Sequence, residues 1–346
     1  MKSQVNILLP DFSYSYARNE AGVRHHLYEL YTKVFSGQNV NILPAIKARN
    51  ILSAAIRSFF TIRSGSLNVV TQGHSVLATY AATMIRRDIR IIVHTWKVPG
   101  FSDDKITAYI YDYILRKLIR KSLIIVVASR KQERQLKGLF PSVPTFFAPV
   151  TVNTEFWMPK TNIAPLLVTY GLKESSYVLT VGGNDRNEEI GMRVAGLLGL
   201  QYVRVTKNQS VIDRIKVVEK ELNMSGMTII LSNIGDADLR VLYQSAFVVI
   251  LPTITDTNPA GLSSLVEALS CGAMLAVGAD LAEGYIVDGE NGIVFRKQNV
   301  DDIVERLKGI DEMMRKTLKD NARDYAVSSL NSDMVAVSLQ KALHKM

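Results

Sequence analysis

The sequence is poor in cysteine, in long apolar runs and in complete glycine signatures, and each shortage removes a class of function. Its single cysteine, Cys271, excludes a disulfide framework and a cysteine-built metal site. Lying between Ser270 and Gly272 on an apolar stretch, it reads as a packing residue in a protein of a reducing compartment. No grouping of histidine, cysteine and carboxylate has metal-ligand spacing, so no metal is expected. Gly182-Gly183 stops short of GxGxxG, and a nicotinamide cofactor is unsupported. The opening MKSQVNILLP has too short an apolar run for a signal peptide, and no segment has the uncharged length that spans a bilayer. The expectation is a soluble cytoplasmic protein, peripheral at most to the inner face of a membrane.

What the chain does have is size, and charge on one side. Its 346 residues exceed the usual single domain and predict two of roughly 150–170 residues. Residues 1–160 hold 22 Lys and Arg against 9 Asp and Glu, a net +13, whereas the remainder holds 19 against 23, a net −4. The net charge of +9 therefore belongs to the first half, which predicts an anionic partner there, a membrane surface or a polyanion.

Both halves follow one grammar. Apolar runs at Val5–Pro10, Asn39–Leu43, Leu67–Thr71, Ile89–His94 and Leu123–Ala128 alternate with helical patterns over Gly22–Phe35, 76–87, 103–121 and 129–139. Further runs follow at Tyr177–Gly182, Tyr202–Thr206, Thr228–Leu231, Phe247–Leu251, Met274–Val277 and Gly292–Phe295. Short β-branched runs separated by helices predict parallel sheets covered on both faces. Asp236 and Asp301 stand where N-caps are expected. Pro149–Pro159 reads as the hinge. The fold class is α/β: two Rossmann-like, doubly wound parallel-sheet domains facing a cleft, with ligands expected outside the strands' carboxyl ends. Predicted boundaries are 1–155, 156–330 and a C-terminal helix over 331–346 packing back on the first domain.

Thr255–Gly272, TDTNPAGLSSLVEALSCG, carries the most chemistry. A loop of small residues runs into an apolar helix whose first half holds one carboxylate, Glu267. Free loop N–H groups and the positive end of the helix dipole suit an anion. A glutamate one or two turns on can accept hydrogen bonds from paired sugar hydroxyls. The alternative is an ordinary strand-to-helix junction.

These features together resemble the GT-B glycosyltransferases, specifically the retaining family-4-like group (glycosyl transferases group 1), over nearly the whole chain. The likeness rests on AGVRHHLYEL (Ala21–Leu30), on VVASRKQERQLKGLFPSVPTFFAPVTVNTEFWMP (Val126–Pro159) with its serine-capped helix, and on LTVGGNDRNEEIG (Leu179–Gly191). DADLRVLYQSAFVVILPT adds to it, and GLSSLVEALSCGAMLAV followed by YIVDGENGIVF is the most specific match. The resemblance implies a nucleotide-sugar donor, UDP- or GDP-linked, as substrate, no cofactor and no metal. It places Glu267 on the ribose, Asn233 and Ile234 near the base, and Gly183, Arg186, Lys207 and the loop Asn258, Gly261, Leu262, Ser263 on phosphates and sugar. Gly22 and His94 are expected to serve from the N-terminal domain, with His94 and Glu267 the catalytic candidates. Two departures are visible: the family's two glutamates are separated by seven residues, and where the first belongs this chain has Pro259, with neither side-chain acceptor nor N–H. The family's Arg and Lys for the diphosphate are also displaced: Gly183 stands near the usual arginine, Arg186 follows three residues later, and Arg193 and Lys207 offer cations further on.

Other residues keep two readings. His74 also ends a strand and is a cleft candidate; His25 and His26 share the first helix and are structural or acceptor-facing. Asp236-Ala237-Asp238 has DxD spacing but reads as a helix start. KARNILSAAIRSFFTIR (Lys47–Arg63) puts Lys47, Arg49, Arg57, Phe59, Phe60 and Arg63 on a helix suited to an anionic lipid interface or an acceptor, with RKLIRK (Arg116–Lys121) nearby; the alternative is a core helix with solvated arginines. Nucleic acid is disfavoured, since no binding module accompanies the charge. The expected activity is transfer of a hexosyl group to a lipid-linked, glycan or polysaccharide acceptor with retention. A non-catalytic GT-B partner subunit and a GT-B-fold nucleotide-sugar epimerase are the alternatives; the first shows neither transfer nor donor hydrolysis, the second isomerises sugar without acceptor.

Overall fold

The computed structural model describes residues 4–8, 26–43, 51–71, 74–96, 98–99, 106–183, 186–254, 261–296 and 299–346. Gly22, His25, Lys47, Arg49, Asn258 and Pro259 lie outside them, as do the side chains of Arg57 and His74. The chain divides into two compact units, residues 1–151 with 332–346, and residues 152–331.

Unit 1 is built on β1 (Gln4–Leu8), β2 (Asn39–Leu43), β3 (Leu67–Val70), β4 (Arg90–His94), β5 (Ile124–Val127) and β6 (Thr145–Phe147). They form one parallel sheet in the order β2-β1-β3-β4-β5-β6. Three-residue β6 had no counterpart in the sequence reading: Pro144 and Pro149 bracket it, and its TFF is too short for a periodic signal. Buried asparagines pin the register. Asn6 pairs in register with Asn41 and Asn68; its Nδ2 donates to Asn68 Oδ1 at 2.9 Å, and Asn68 Nδ2 reaches Ser66 Oγ at 3.0 Å. A one-residue slip would turn these amides to the opposite face and leave them unpaired. The C-terminal helix Ser332–His344 packs on helix His26–Val34, with Lys33 Nζ bonded to Asp333 at 2.8 Å and Ser332 Oγ donating to Glu29 at 2.6 Å.

Unit 2 is built on β7 (Tyr177–Val181), β8 (Gln201–Val205), β9 (Thr228–Leu231), β10 (Val248–Leu251), β11 (Leu275–Gly278) and β12 (Ile293–Phe295). Its parallel sheet has the order β12-β11-β10-β7-β8-β9. Strand order reverses between β7 and β10, so the loops leaving their carboxyl ends open a crevice there. Two expected N-caps are displaced. Gly235, not Asp236, caps helix Asp236–Ser245, and Asn299, not Asp301, caps helix Val300–Lys308 through an acceptor bond from Asp301 N–H at 3.1 Å. Both aspartates instead lie in the first turn, where a carboxylate still complements the helix dipole. Ser129 does precede helix Arg130–Leu139, but no side-chain bond from it caps the helix.

Candidate functional site

The crevice of unit 2 is organised by two buried arginines. Arg186 follows β7 and is 2% exposed. Its backbone bridges to Thr253 beyond β10, and the next N–H, that of Asn187, donates to Pro252 O at 2.8 Å. Its Nε donates to Val181 O at 3.2 Å. Its guanidinium lies against two glycines: a Cβ at Gly182 would come 2.8 Å from Nη2, and a Cβ at Gly261 2.6 Å from the same nitrogen. Both glycines have positive φ, +125° and +104°, so a side chain at either place would be strained and would displace the guanidinium. Gly261 is also the N-cap of helix Leu262–Ser270. A buried guanidinium is thus set against the positive end of a helix dipole. The two repel each other and together favour an anion.

The second arginine was absent from the sequence reading. Arg204, on β8, is fully buried and grips Glu188 in bidentate fashion, Nε to Oε2 at 2.8 Å and Nη2 to Oε1 at 3.0 Å. Tyr202 donates its hydroxyl to Glu188 Oε2 at 2.8 Å; burial holds this phenol far above its ordinary range. The remaining guanidinium hydrogens go to main-chain oxygens, Gly182 O and Gly183 O at 3.0 Å each and Val205 O at 2.7 Å. With the Gly182 carbonyl drawn towards Arg204, the N–H of Gly183, across the same planar peptide, faces the other way. The available signal was Arg204 itself, a charge within the apolar strand QYVRV, which an inner parallel strand tolerates only when paired.

Glu267 sits one turn into helix Leu262–Ser270, half-buried, and accepts the hydroxyl of Tyr243 at 3.1 Å. Burial pushes its carboxyl up to about 8; the Tyr243 hydrogen bond acts against this and the nearby charge of Asp236 adds to it. Asp238, the other half of the DxD pair, accepts the hydroxyl of Tyr170 at 2.6 Å. Among the described residues no three His, Cys, Asp or Glu side chains are grouped to hold a metal. The structure therefore brings Gly183, Arg186, Gly261, Leu262, Ser263 and Glu267 to one edge of the sheet. Lys207 is exposed just beyond β8; Asn233, at φ 58°, and half-buried Ile234 lie beyond β9 on the approach to the Asp236 helix. Cys271 is buried, and its thiol is held well above its ordinary range by burial, as a packing residue's would be.

Unit 1 gives its strand ends a different character. His94 closes β4, is buried, and its Nδ1 lies 2.8 Å from Tyr31 Oη. Burial holds the phenol of Tyr31 far above its ordinary range, so it stays un-ionised. Which of the two donates depends on the tautomer: a ring protonated on Nε2 accepts the phenol's proton at Nδ1, and one protonated on Nδ1 donates to the phenol oxygen. Trp96 packs between His94 and His26, with ring centroids at 5.7 and 5.6 Å. His74 opens helix His74–Ile85. Of the lipid or acceptor candidates, helix Ile51–Thr61 turns Ala55, Ser58 and the following Ile62 inwards, packs Phe59 under Arg86 at 4.5 Å, and leaves Phe60 and Arg63 exposed. Of the helix's described apolar side chains, Ala55 is buried and Phe59 half-buried, while Ile56 is 49% and Phe60 70% exposed.

Residues 176–325, within unit 2, match the family model of Glycosyl transferases group 1. No curated protein matches the chain significantly. Among solved structures, sucrose-phosphate synthase from Thermosynechococcus elongatus is similar at 14% identity and TM-score 0.77, over 99% of each chain. HepE of Anabaena, solved with UDP-glucose and with UDP and glucose, is similar at 12% identity and TM-score 0.75, over 99% of this chain and 100% of its own. AviGT4, a glycosyltransferase involved in avilamycin A biosynthesis, is similar at 12% identity and TM-score 0.63. At these identities the likeness is one of fold, and the fold is GT-B.

Proposed function

We propose that this chain, with the GT-B fold and a Glycosyl transferases group 1 match in its second unit, is a metal-independent retaining hexosyltransferase using a UDP- or GDP-linked sugar. The observation that carries the reading is the seat of Arg186: a buried guanidinium between two glycines of positive φ, at the N-terminus of the helix that bears Glu267. A diphosphate meets both positive features at once, with Arg186 able to grip its oxygens in bidentate fashion and Lys207 a second cation nearby. Glu267, two turns at most from that anion, accepts the ribose hydroxyls, and Asn233 and Ile234 approach the base. Three of the similar solved structures, all of HepE, hold a uridine nucleotide, which supports the same donor class here. His94 and Gly22 are assigned to the sugar and its acceptor, a lipid-linked or polysaccharide hydroxyl. In the transfer, the bond from the sugar carbon to the phosphate oxygen breaks, the bond to the acceptor oxygen forms on the same face, and the acceptor's proton passes to the leaving phosphate. Fixed N–H groups and Arg186 stabilise the charge of that leaving group. The basic first unit supports a location at an anionic membrane surface on the cytoplasmic side.

The test is a thermal-shift panel of UDP, GDP, ADP and their sugars on the wild-type protein and Gly261→Ala. At a hundredfold excess over its dissociation constant the correct nucleotide stabilises by about 2.7 kcal/mol, and Gly261→Ala, whose methyl meets Arg186, abolishes the shift. A wild-type protein that none of the nucleotides shifts overturns the reading.

A further inference from the structure

We propose that the amino-terminal rim of the unit 1 sheet, at the opposite strand ends from His94, docks on an anionic lipid surface. The strand order sets the turns that enter β3, β4 and β5 side by side. Hydrogen bonds join them: Arg90 N–H donates to Ser66 O at 3.1 Å, and Leu123 N–H to Ile91 O at 2.8 Å. The side chain of Arg86 also bonds Phe59 O at 2.5 Å, tying the end of helix Ile51–Thr61 to the end of helix His74–Ile85. On this rim Phe60, Met84 and Ile85 are 70%, 67% and 73% exposed. Exposed Arg63, Arg87 and Arg90 stand among them, and exposed Arg120, Lys121 and Leu123 continue the rim along the turn into β5. Asp88 is the one acidic residue on these three turns.

Large apolar tips interleaved with cations fit a bilayer better than they fit a polyanion. Phenylalanine, methionine and isoleucine gain from entering the boundary between headgroups and acyl chains, while arginine stems lie along it with their charges at the lipid phosphates. A nucleic acid would use the cations and leave those tips in water. The rim is set by the turns that enter three neighbouring strands, whereas the surface expected at Lys47–Arg63 is that of a single helix. It shares with that expectation only its last residues, Phe60 and Arg63. The proposal deepens the membrane part of the proposed function and is independent of its transfer chemistry.

The experiment is co-sedimentation of the full chain with phosphatidylcholine vesicles, with and without phosphatidylglycerol, at low and high salt. The wild-type protein is expected to sediment only with the anionic vesicles and to be released by salt. Arg87→Glu/Arg90→Glu and Met84→Ser/Ile85→Ser should each lower the bound-to-free ratio at least about tenfold. Lys47→Glu/Arg49→Glu should leave it unchanged. The nucleotide-induced thermal shift, read on the same preparations, should be the same in all of them, which also shows that each variant is folded. Rim variants that sediment like wild type, loss confined to the Lys47/Arg49 variant, or wild type that ignores anionic vesicles would each overturn the proposal. A missing nucleotide shift beside normal vesicle binding would count against the transferase reading alone.

Discussion

The two units each build a parallel six-stranded sheet whose order reverses beside its first strand, yet they put their charge at opposite strand ends. In unit 2 the charge is buried at the carboxyl ends, Arg186 under two glycines and Arg204 locked to Glu188, with half-buried Glu267 six residues beyond the Gly261 cap. In unit 1 the carboxyl end of β4 carries an uncharged phenol, an imidazole and an indole in contact, while exposed cations gather on the amino-terminal rim. The difference shows what the fold decides and what it leaves open. Parallel strands and returning helices force loops to converge at one edge; which edge receives charge, and whether that charge is buried, is a matter of side chains. Burying it is costly, so unit 2 supplies each buried ion with fixed partners, whereas unit 1 leaves its cations in water, where they remain free to meet an external anion.

The sharpest way to break unit 2's side of this comparison is Arg204→Met. It strands Glu188 with Tyr202 and the distant Arg214 Nη2 at 3.5 Å, and it releases the carbonyls of Gly182 and Gly183. A loss of about 3–5 kcal/mol is expected in denaturant unfolding, because one buried charge keeps its desolvation cost without its partner. Removing both charges, as Glu188→Leu/Arg204→Met, should recover much of that stability. Nucleotide binding should not recover, since nothing then draws the two carbonyls back. Recovery of both together would show the pair to be a packing device with no part in shaping the loop.

These pairings also mark where the sequence stops being informative. The strands were readable because β-branched runs report burial on both faces within four or five residues; only β6 escaped, between its prolines. Helix starts were off by one or two residues because Gly235 and Asn299 compete with neighbouring aspartates that also suit a first turn. Arg186 and Gly261 could each be chosen by residue type. That one guanidinium touches both Gly182 and Gly261 follows only once β7 and β10 are neighbours. Glu188, Arg204 and Tyr243 went unread for the same reason, each looking like a surface or core residue until its partner across the sheet or the next helix is in place. The apolar face of Lys47–Arg63 was legible, but a helix alone does not say whether that face meets lipid or core.

A smaller effect probes Glu267 by pH. Its carboxyl, near 4.5 when unfolded, is pushed up to about 8 in the fold, chiefly by burial. The folded state therefore binds the proton more tightly, and this contribution to stability is complete below the unfolded value and disappears as pH rises through about 8. Glu267→Gln should flatten that part of the stability profile and be the more stable protein above it. Ribose hydroxyls favour the carboxylate as acceptor, so nucleotide binding near neutral pH should release a proton, read by calorimetry in buffers of different ionisation enthalpy. Binding without proton release would remove Glu267 from the ribose.

Unit 1 yields the least severe test, Tyr31→Phe. The ring's place in the core is retained and only the hydroxyl on His94 Nδ1 is lost. One net hydrogen bond is worth about 1 kcal/mol, so the thermal midpoint should fall by a few degrees. If His94 serves the reacting sugar through Nε2, losing its hydrogen-bond partner at Nδ1 should lower the transfer rate about three- to tenfold and shift its pH profile. The nucleotide-induced thermal shift should stay as in wild type, because the seat proposed for the donor phosphates and ribose lies in unit 2. Equal losses in transfer and in nucleotide binding would mean that the phenol acts through general stability. An unchanged rate would leave His94 a structural residue, its neutral aromatic setting being packing and nothing more.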